Sequence, residues 1–187
     1  MTHNKKQDHT LSLQQPIIKK AIMKYSNEDV RRQDRLMSEA DAIKLLTDGE
    51  YGVLSMQAED GGGYGVPLNY IFDGQHSLYI HCAPEGRKLR CLEKNPSVTF
   101  CVVGQTRLVP RQFTTEYNSI LLHGTAHLHL SDEEKMKALH LIVRKFSPDY
   151  IETGDKYSEK SFHRVDIIRM DITEFSGKCK HVKEDNI

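Results

Sequence analysis

The sequence predicts a mainly β fold with short helices, a small antiparallel barrel rather than an alternating βαβ sheet. Three observations lead there. Six runs read as strands, one of them alternating at period two, tight-turn signals separate several of them, and helical spacing is confined to short segments at the joints. Length agrees, since 187 residues suit one domain with one sizeable core.

The elements follow in chain order. Residues 1–27 are polar around Pro16 and are expected to be an N-terminal arm; Pro16 to Ile22 stays open between a short amphipathic turn and a disordered lead. The domain is taken as residues 28–187. Ser38 followed by Asp41 resembles a capping box, and Ala42, Leu45 and Leu46 give one apolar face, so a helix is expected to about Thr47. Strands are expected at Tyr51 to Met56, at Tyr64 to Phe72 and at Ser77 to Cys82. The second carries Val66, Leu68, Tyr70 and Phe72 on one face, and Pro67 marks it as an edge strand or a bulged one. Together the three form an antiparallel meander. Leu89 and Leu92 have helical spacing, and Asn95-Pro96 ends that run. Strands resume at Ser97 to Val103 and at Asn118 to Leu130. Ser131 with Glu134 caps a helix to about Phe146, with Met136, Leu139, Ile142, Val143 and Phe146 inward, and a last strand spans Arg164 to Ile172.

Charge excludes one class of partner. The chain has 26 Lys and Arg against 26 Asp and Glu, so no excess of cations serves nonspecific nucleic-acid or acidic-membrane binding. No apolar stretch approaches the ~20 residues of a membrane-crossing helix. The polar N-terminus offers no secretory apolar region, and the chain is read as cytoplasmic. Cys82, Cys91, Cys101 and Cys179 show no C-x-x-C spacing and are expected as free thiols.

The chemistry gathers where a strand end meets a helix start, at His81-Cys-Ala-Pro-Glu-Gly-Arg-Lys88. Backbone N–H groups at a helix N-terminus lack partners and sit at the positive end of the dipole. Gly86 permits close approach, and Arg87, Lys88 and Arg90 bring charge suited to a phosphate. No Walker loop and no G-x-G-x-x-G fingerprint is present. His123, His127 and His129 fall on one face of an extended strand, but no neighbouring Asp or Cys completes a metal set, and a half-solvated surface is the plainer expectation. No metal is therefore assigned.

Several motifs together carry a resemblance. Val66-Pro-Leu-Asn-Tyr70, His81-x-Ala-x-x-Gly-Arg-Lys88, Glu116-Tyr117-x-Ser119, His123-Gly-Thr-Ala126 and the lead-in Arg31-Arg32-Gln33-Asp34-Arg35 resemble the 5-nitroimidazole resistance (nitroimidazole reductase) family. That family lies within the split barrels that bind flavin mononucleotide (FMN) and are related to pyridoxamine 5'-phosphate oxidase. The resemblance covers roughly Val30 to Val182 and implies a six-stranded antiparallel split barrel with FMN at a homodimer interface. It implies that Gly86, Arg87 and Lys88 hold the phosphate, with Ala83 and Glu85 at the same helix start. Pro67, Leu68, Asn69 and Tyr70 would follow the isoalloxazine and ribityl chain, and Ser119 would belong to the neighbourhood of the partner subunit. His81 would stand near the reactive face, as a catalytic proton donor or as a structural histidine beside the cofactor. Where relatives often carry a Cys before the first strand, this chain has Glu50-Tyr51, so no role of that Cys transfers.

The implied activity is an FMN-dependent oxidoreductase reducing small nitroaromatic, 5-nitroimidazole-like or other electron-poor compounds. A reduced nicotinamide, NAD(P)H, would act as a transient donor. Two alternatives stay open: a flavin- or haem-binding module for sensing or haem handling, with His81 or His123 as axial ligand, and an interaction protein that keeps the fold without a cofactor.

Overall fold

In a computed structural model, which describes residues 23–183, eight strands form one mixed sheet, and seven of them pair antiparallel. Six strands are long: β2 (Tyr51–Gln57), β3 (Gly63–Asn69), β5 (Ser77–Cys82), β6 (Ser97–Val109), β7 (Thr114–His127) and β8 (Asp166–Lys180). Two are short pairs of residues, β1 (Lys24–Tyr25) and β4 (Ile71–Phe72). The order across the sheet is β3-β2-β6-β7-β8-β5-β4, and β1 joins β8 in parallel. The fold class expected from the sequence is the one observed, an antiparallel sheet rolled into a barrel that hydrogen bonding does not close.

The opening lies at Tyr70. The expected single strand from Tyr64 to Phe72 is two strands: β3 pairs with β2 at one end of the order, and β4 pairs with β5 at the other. The expected meander is therefore corrected to a split. Tyr70 turns into the core, 1% exposed, packs edge-on against Phe100 at 5.0 Å and donates its hydroxyl to the Leu46 carbonyl at 2.7 Å. Pro67 sits in β3, which pairs only with β2, so its missing N–H costs no ladder bond.

The helices are where their caps place them. Ser38 accepts from the Asp41 N–H at 3.1 Å and opens α1 (Glu39–Asp48), whose Ala42 and Leu46 cover one end of the barrel. Gly86, at φ +147°, precedes α2 (Arg87–Lys94), with Leu89, Cys91 and Leu92 buried. Ser131 accepts from the Glu134 N–H at 3.2 Å and opens α3 (Asp132–Phe146). The barrel interior is one core, including Leu54, Phe100, Leu122, Ile168 and Phe175; a second forms outside it, where Ala138 and Leu139 of α3 meet Tyr79 and Ile167. Phe146, expected inward, is exposed at the end of α3.

Other expectations are corrected at element ends. β6 and β7 run on past Val103 and begin before Asn118, respectively, as a two-stranded ribbon with a register shift between Val103 and Thr106. β7 ends at His127 rather than Leu130, and β8 continues to Lys180 rather than stopping at Ile172. α4 (Ile151–Ser161) was not expected, because its sequence lacks an apolar stripe; it is seated by the close approach of Gly154 to Val143. The expected turn at Pro16 to Ile22 lies outside the described residues, while Lys24 and Tyr25 at the end of the expected arm pair with β8. No helix among the described residues is long and apolar enough to cross a membrane.

At the bulge where β8 shifts register, a Cβ on Gly124 would lie 2.2 Å from the Asp171 carbonyl oxygen. Backbone cannot yield as a side-chain tip can. Gly124→Ala should therefore lower unfolding stability by about 1–3 kcal/mol, read as an earlier urea midpoint; an unchanged midpoint would show that the bulge relaxes freely.

Candidate functional site

The break at Tyr70 leaves a seam, and the expected site residues line it. Along β3 the outward positions are Pro67 and Asn69, while across the seam β5 presents exposed His81. With Leu68 and Tyr51, the first residue of β2, they line an open groove of about 440 Å³. The Asn69 amide donates to the Glu50 carbonyl at 3.0 Å, which ties the end of β3 to the start of β2. Tyr70 is not at the groove surface: its side chain belongs to the core, so only its backbone borders this region. Burial raises its pKa, and the hydroxyl remains a donor to Leu46.

β5 then leads straight into α2. Ala83, Pro84 and Glu85 are exposed, and Gly86 takes a positive φ that favours glycine. A Cβ there would meet nothing within 4 Å, so the backbone is open to an approaching group. No side chain caps α2, which leaves its first N–H groups available beside the dipole's positive end. Lys88 is half-buried next to Cys82. The Arg87 guanidinium lies 4.5 Å from the centre of the Tyr64 ring, a cation–π contact that orients it along β3. Arg90, grouped with these charges in the sequence, is instead turned toward Glu59, Nε to Oε1 at 3.3 Å.

This donor set suits an anion with a flat apolar extension. Open N–H groups, Gly86 and two cations stand at one end, and a groove walled by Tyr51, Pro67, Leu68 and His81 stands beside them. Tyr51 has no part in the sequence expectation. Its signal is an aromatic at an outward strand position, 62% exposed, where a solvated face would carry a polar residue.

Ser119 lies elsewhere in the chain. It opens on a cavity of about 490 Å³ shared with Arg31, Cys101, Leu121, His123 and Lys178 on the outer sheet face. His81 and His123 thus open on different cavities. The lead-in Arg32 folds back on Asp34, with two N–H groups donating at 2.7 and 2.6 Å. Of the strand histidines, His127 Nε2 lies 3.1 Å from Asp171, while His129, at φ 55° beyond the strand end, has Nε2 3.6 Å from Glu93. The expectation that they share a strand face is corrected: the chain leaves the sheet between them. Among the described residues no three His, Cys, Asp or Glu side chains gather as metal ligands.

Cys82 adjoins His81 but faces inward. Burial pushes its thiol up to about 11, against a smaller downward pull from Lys88. It therefore stays protonated at neutral pH. In folded protein at pH 8, iodoacetamide should leave Cys82 unmodified while urea exposes it; rapid labelling of the native thiol, read by peptide mass, would contradict this burial.

The comparisons with known proteins bear on this geometry. No curated protein matches the chain. A provisionally assigned 5-nitroimidazole antibiotic resistance protein from Bacteroides thetaiotaomicron is similar in structure, with 21% identity, 78% of this chain and 86% of that chain covered, and a TM-score of 0.62. A FAD-binding protein from Mesorhizobium loti is similar at 24% identity, covering 79% of this chain and 98% of that one, with a TM-score of 0.53. The FAD and haem binding protein from Mycobacterium smegmatis is similar at 19% identity, covering 80% and 76%, with a TM-score of 0.60. At these identities the likenesses speak to the fold. The profile of the pyridoxamine 5'-phosphate oxidase family matches residues 38–179, from the cap of α1 nearly to the end of β8, and the chain belongs to that family.

Proposed function

We propose that the chain is an FMN-dependent oxidoreductase that works as a homodimer on small nitroaromatic, 5-nitroimidazole-like or other electron-poor compounds. The observation that carries this reading is an open seam groove bordered by His81 of β5, the strand that leads into an uncapped helix start with an open glycine. The relatives named for flavin binding and for nitroimidazole resistance support it.

When bound, FMN would supply the electron chemistry, and the protein supplies position, charge and protons. The N–H groups after Gly86, with Lys88 and Arg87, would hold the dianionic phosphate through charge-assisted hydrogen bonds. Pro67, Leu68 and Asn69 would border the ribityl chain and ring, and Tyr51 would offer an aromatic wall. His81 opens on the same groove, so its imidazole would be within reach of substrate bound there and could deliver a proton to a reduced nitro group. Cys82, inward and protonated, takes no part. Reduced nicotinamide would enter transiently from the solvent side.

The outer sheet face supports the homodimer. In one row across it, Val53 pairs with Cys101 and Cys101 with Leu121, and Val53 and Leu121 remain 37% and 39% exposed. An apolar row across paired strands is a surface that association would cover. Ser119 lies on the same face one register step away, where the dimer would bring it toward the partner's groove.

Binding measurements test the phosphate site. Arg87→Ala combined with Lys88→Ala should weaken FMN binding roughly 10–100-fold while riboflavin changes little, because only FMN loses charged hydrogen bonds. Equal losses for both ligands would remove the phosphate assignment. A Soret band in place of flavin absorption after reconstitution would turn the reading to haem.

A further inference from the structure

Behind the groove, a lysine from a distant helix ties the start of one wall to the point where the chain crosses to the other. Lys145, in the last turn of α3, donates from Nζ to the Gly49 carbonyl at 2.5 Å and to the Tyr70 carbonyl at 3.3 Å. Its ammonium also lies 4.6 Å from the centre of the Tyr70 ring. Gly49 is the C-cap of α1 and precedes Glu50 and Tyr51; Tyr70 follows Asn69. The two carbonyls thus belong to residues just outside the pair tied by Asn69 and Glu50 on the groove side. The junction is close-fitting, since a Cβ on Gly49 would fall 2.5 Å from the Tyr70 hydroxyl oxygen and 2.9 Å from the Leu45 carbonyl.

A cation is suited to this place for a physical reason. The last carbonyls of a helix lack intrahelical partners and carry the negative end of its dipole, and the chain break at Tyr70 leaves a further carbonyl outside the strand ladders. One ammonium has three donors and can serve both. Burial opposes its charge and lowers its pKa, while Asp48 and Glu50, the acidic groups flanking Gly49, support the charged form.

We infer that Lys145 is a positioning residue for the flavin groove, pinning the crossing at Tyr70 to the end of α1 and so fixing how β4, and the β5 wall that carries His81, stand against the β2–β3 wall. This rests on the reading of the groove as the FMN site. Lys145 does not touch that groove, and its effect passes through the backbone at residues 49–51 and 69–71.

The test compares Lys145→Met, which keeps length and loses the donors, with Lys145→Arg, which keeps two or more donors, and with Leu139→Ala, a core truncation on the same helix. Lys145→Met should bind FMN about tenfold more weakly, the worth of one charge-assisted hydrogen bond, with Lys145→Arg restoring most of the affinity. Leu139→Ala should lower Tm without changing FMN affinity in the folded protein. A flavin-free measurement accompanies these: amide exchange should quicken at residues 49–51 and 69–71 in Lys145→Met and not in Leu139→Ala. Wild-type affinity and exchange in Lys145→Met would overturn the inference, as would equal affinity losses in Lys145→Met and Leu139→Ala. Failure of the wild-type protein to take up FMN would instead overturn the site reading, and the positioning role with it.

Discussion

The burial of one ring shapes this protein more than any other contact. Tyr70 occupies the point where a run of alternating residues leaves one end of the sheet and joins the other. An interior phenol needs a partner for its hydroxyl, and the last turn of α1 supplies one in the Leu46 carbonyl, which α1 is too short to satisfy itself. Phe100 supplies the edge-on aromatic contact. β2 begins at Tyr51, opposite Asn69, so β3 has no further partner where the ring turns inward, and the run resumes beside β5. The opening therefore falls where β2 ends and the ring enters the core.

Function follows from that opening with little added machinery. The period-two alternation that turns Tyr64, Val66 and Leu68 inward turns Pro67 and Asn69 outward at the seam's edge. The same alternation on β5 turns His81 outward and Cys82 inward. The basic residues of α2 divide their labour. Arg90 and Lys94 approach Glu59 in the β2–β3 turn and hold the helix against the barrel, which leaves Arg87 and Lys88 at its open end. An even net charge is thus compatible with a local cationic end.

Much of this was legible from residues because local physics decided it. Ser38 and Ser131 cap helices at the positions their spacing indicates, and Pro67 marks an edge strand. The split was not legible: apolar residues keep period two straight through Tyr70, so nothing in the pattern distinguishes one strand from two. The ribbon beyond Val103 is mostly exposed on β6, with Val109 alone buried there, so little burial imposes alternation. α4 is mostly polar and depends on the absence of a side chain at Gly154. Pro67, Leu68, Asn69 and His81 were foreseen by resemblance and do share a groove; Tyr51 was missed because its role depends on a strand start opposite the seam. The separation of Ser119 from that groove reflects the width of the intervening strands, at about 4.8 Å each.

α3 connects the two structural themes. Near its start, Glu134 accepts from the Tyr79 hydroxyl at 3.0 Å and from Arg169 at 2.8 Å, and Arg169 in turn meets Asp171, which also accepts from Ser77. Such half-buried polar networks fix where an element sits, because a displaced helix would leave several charged groups without partners. α3 has 15 residues and so extends about 22 Å, far enough to be anchored over β5 and β8 at one end and to present Lys145 at the seam at the other. Hydrogen bonds between strands fix most of the barrel, but none span the seam from β3 to β4. There the crossing at Tyr70 is tied from outside the sheet, by Lys145 of α3. The two walls of the groove, each held in its own ladder, are thus joined through the backbone at Tyr70 and the side-chain contacts that hold it.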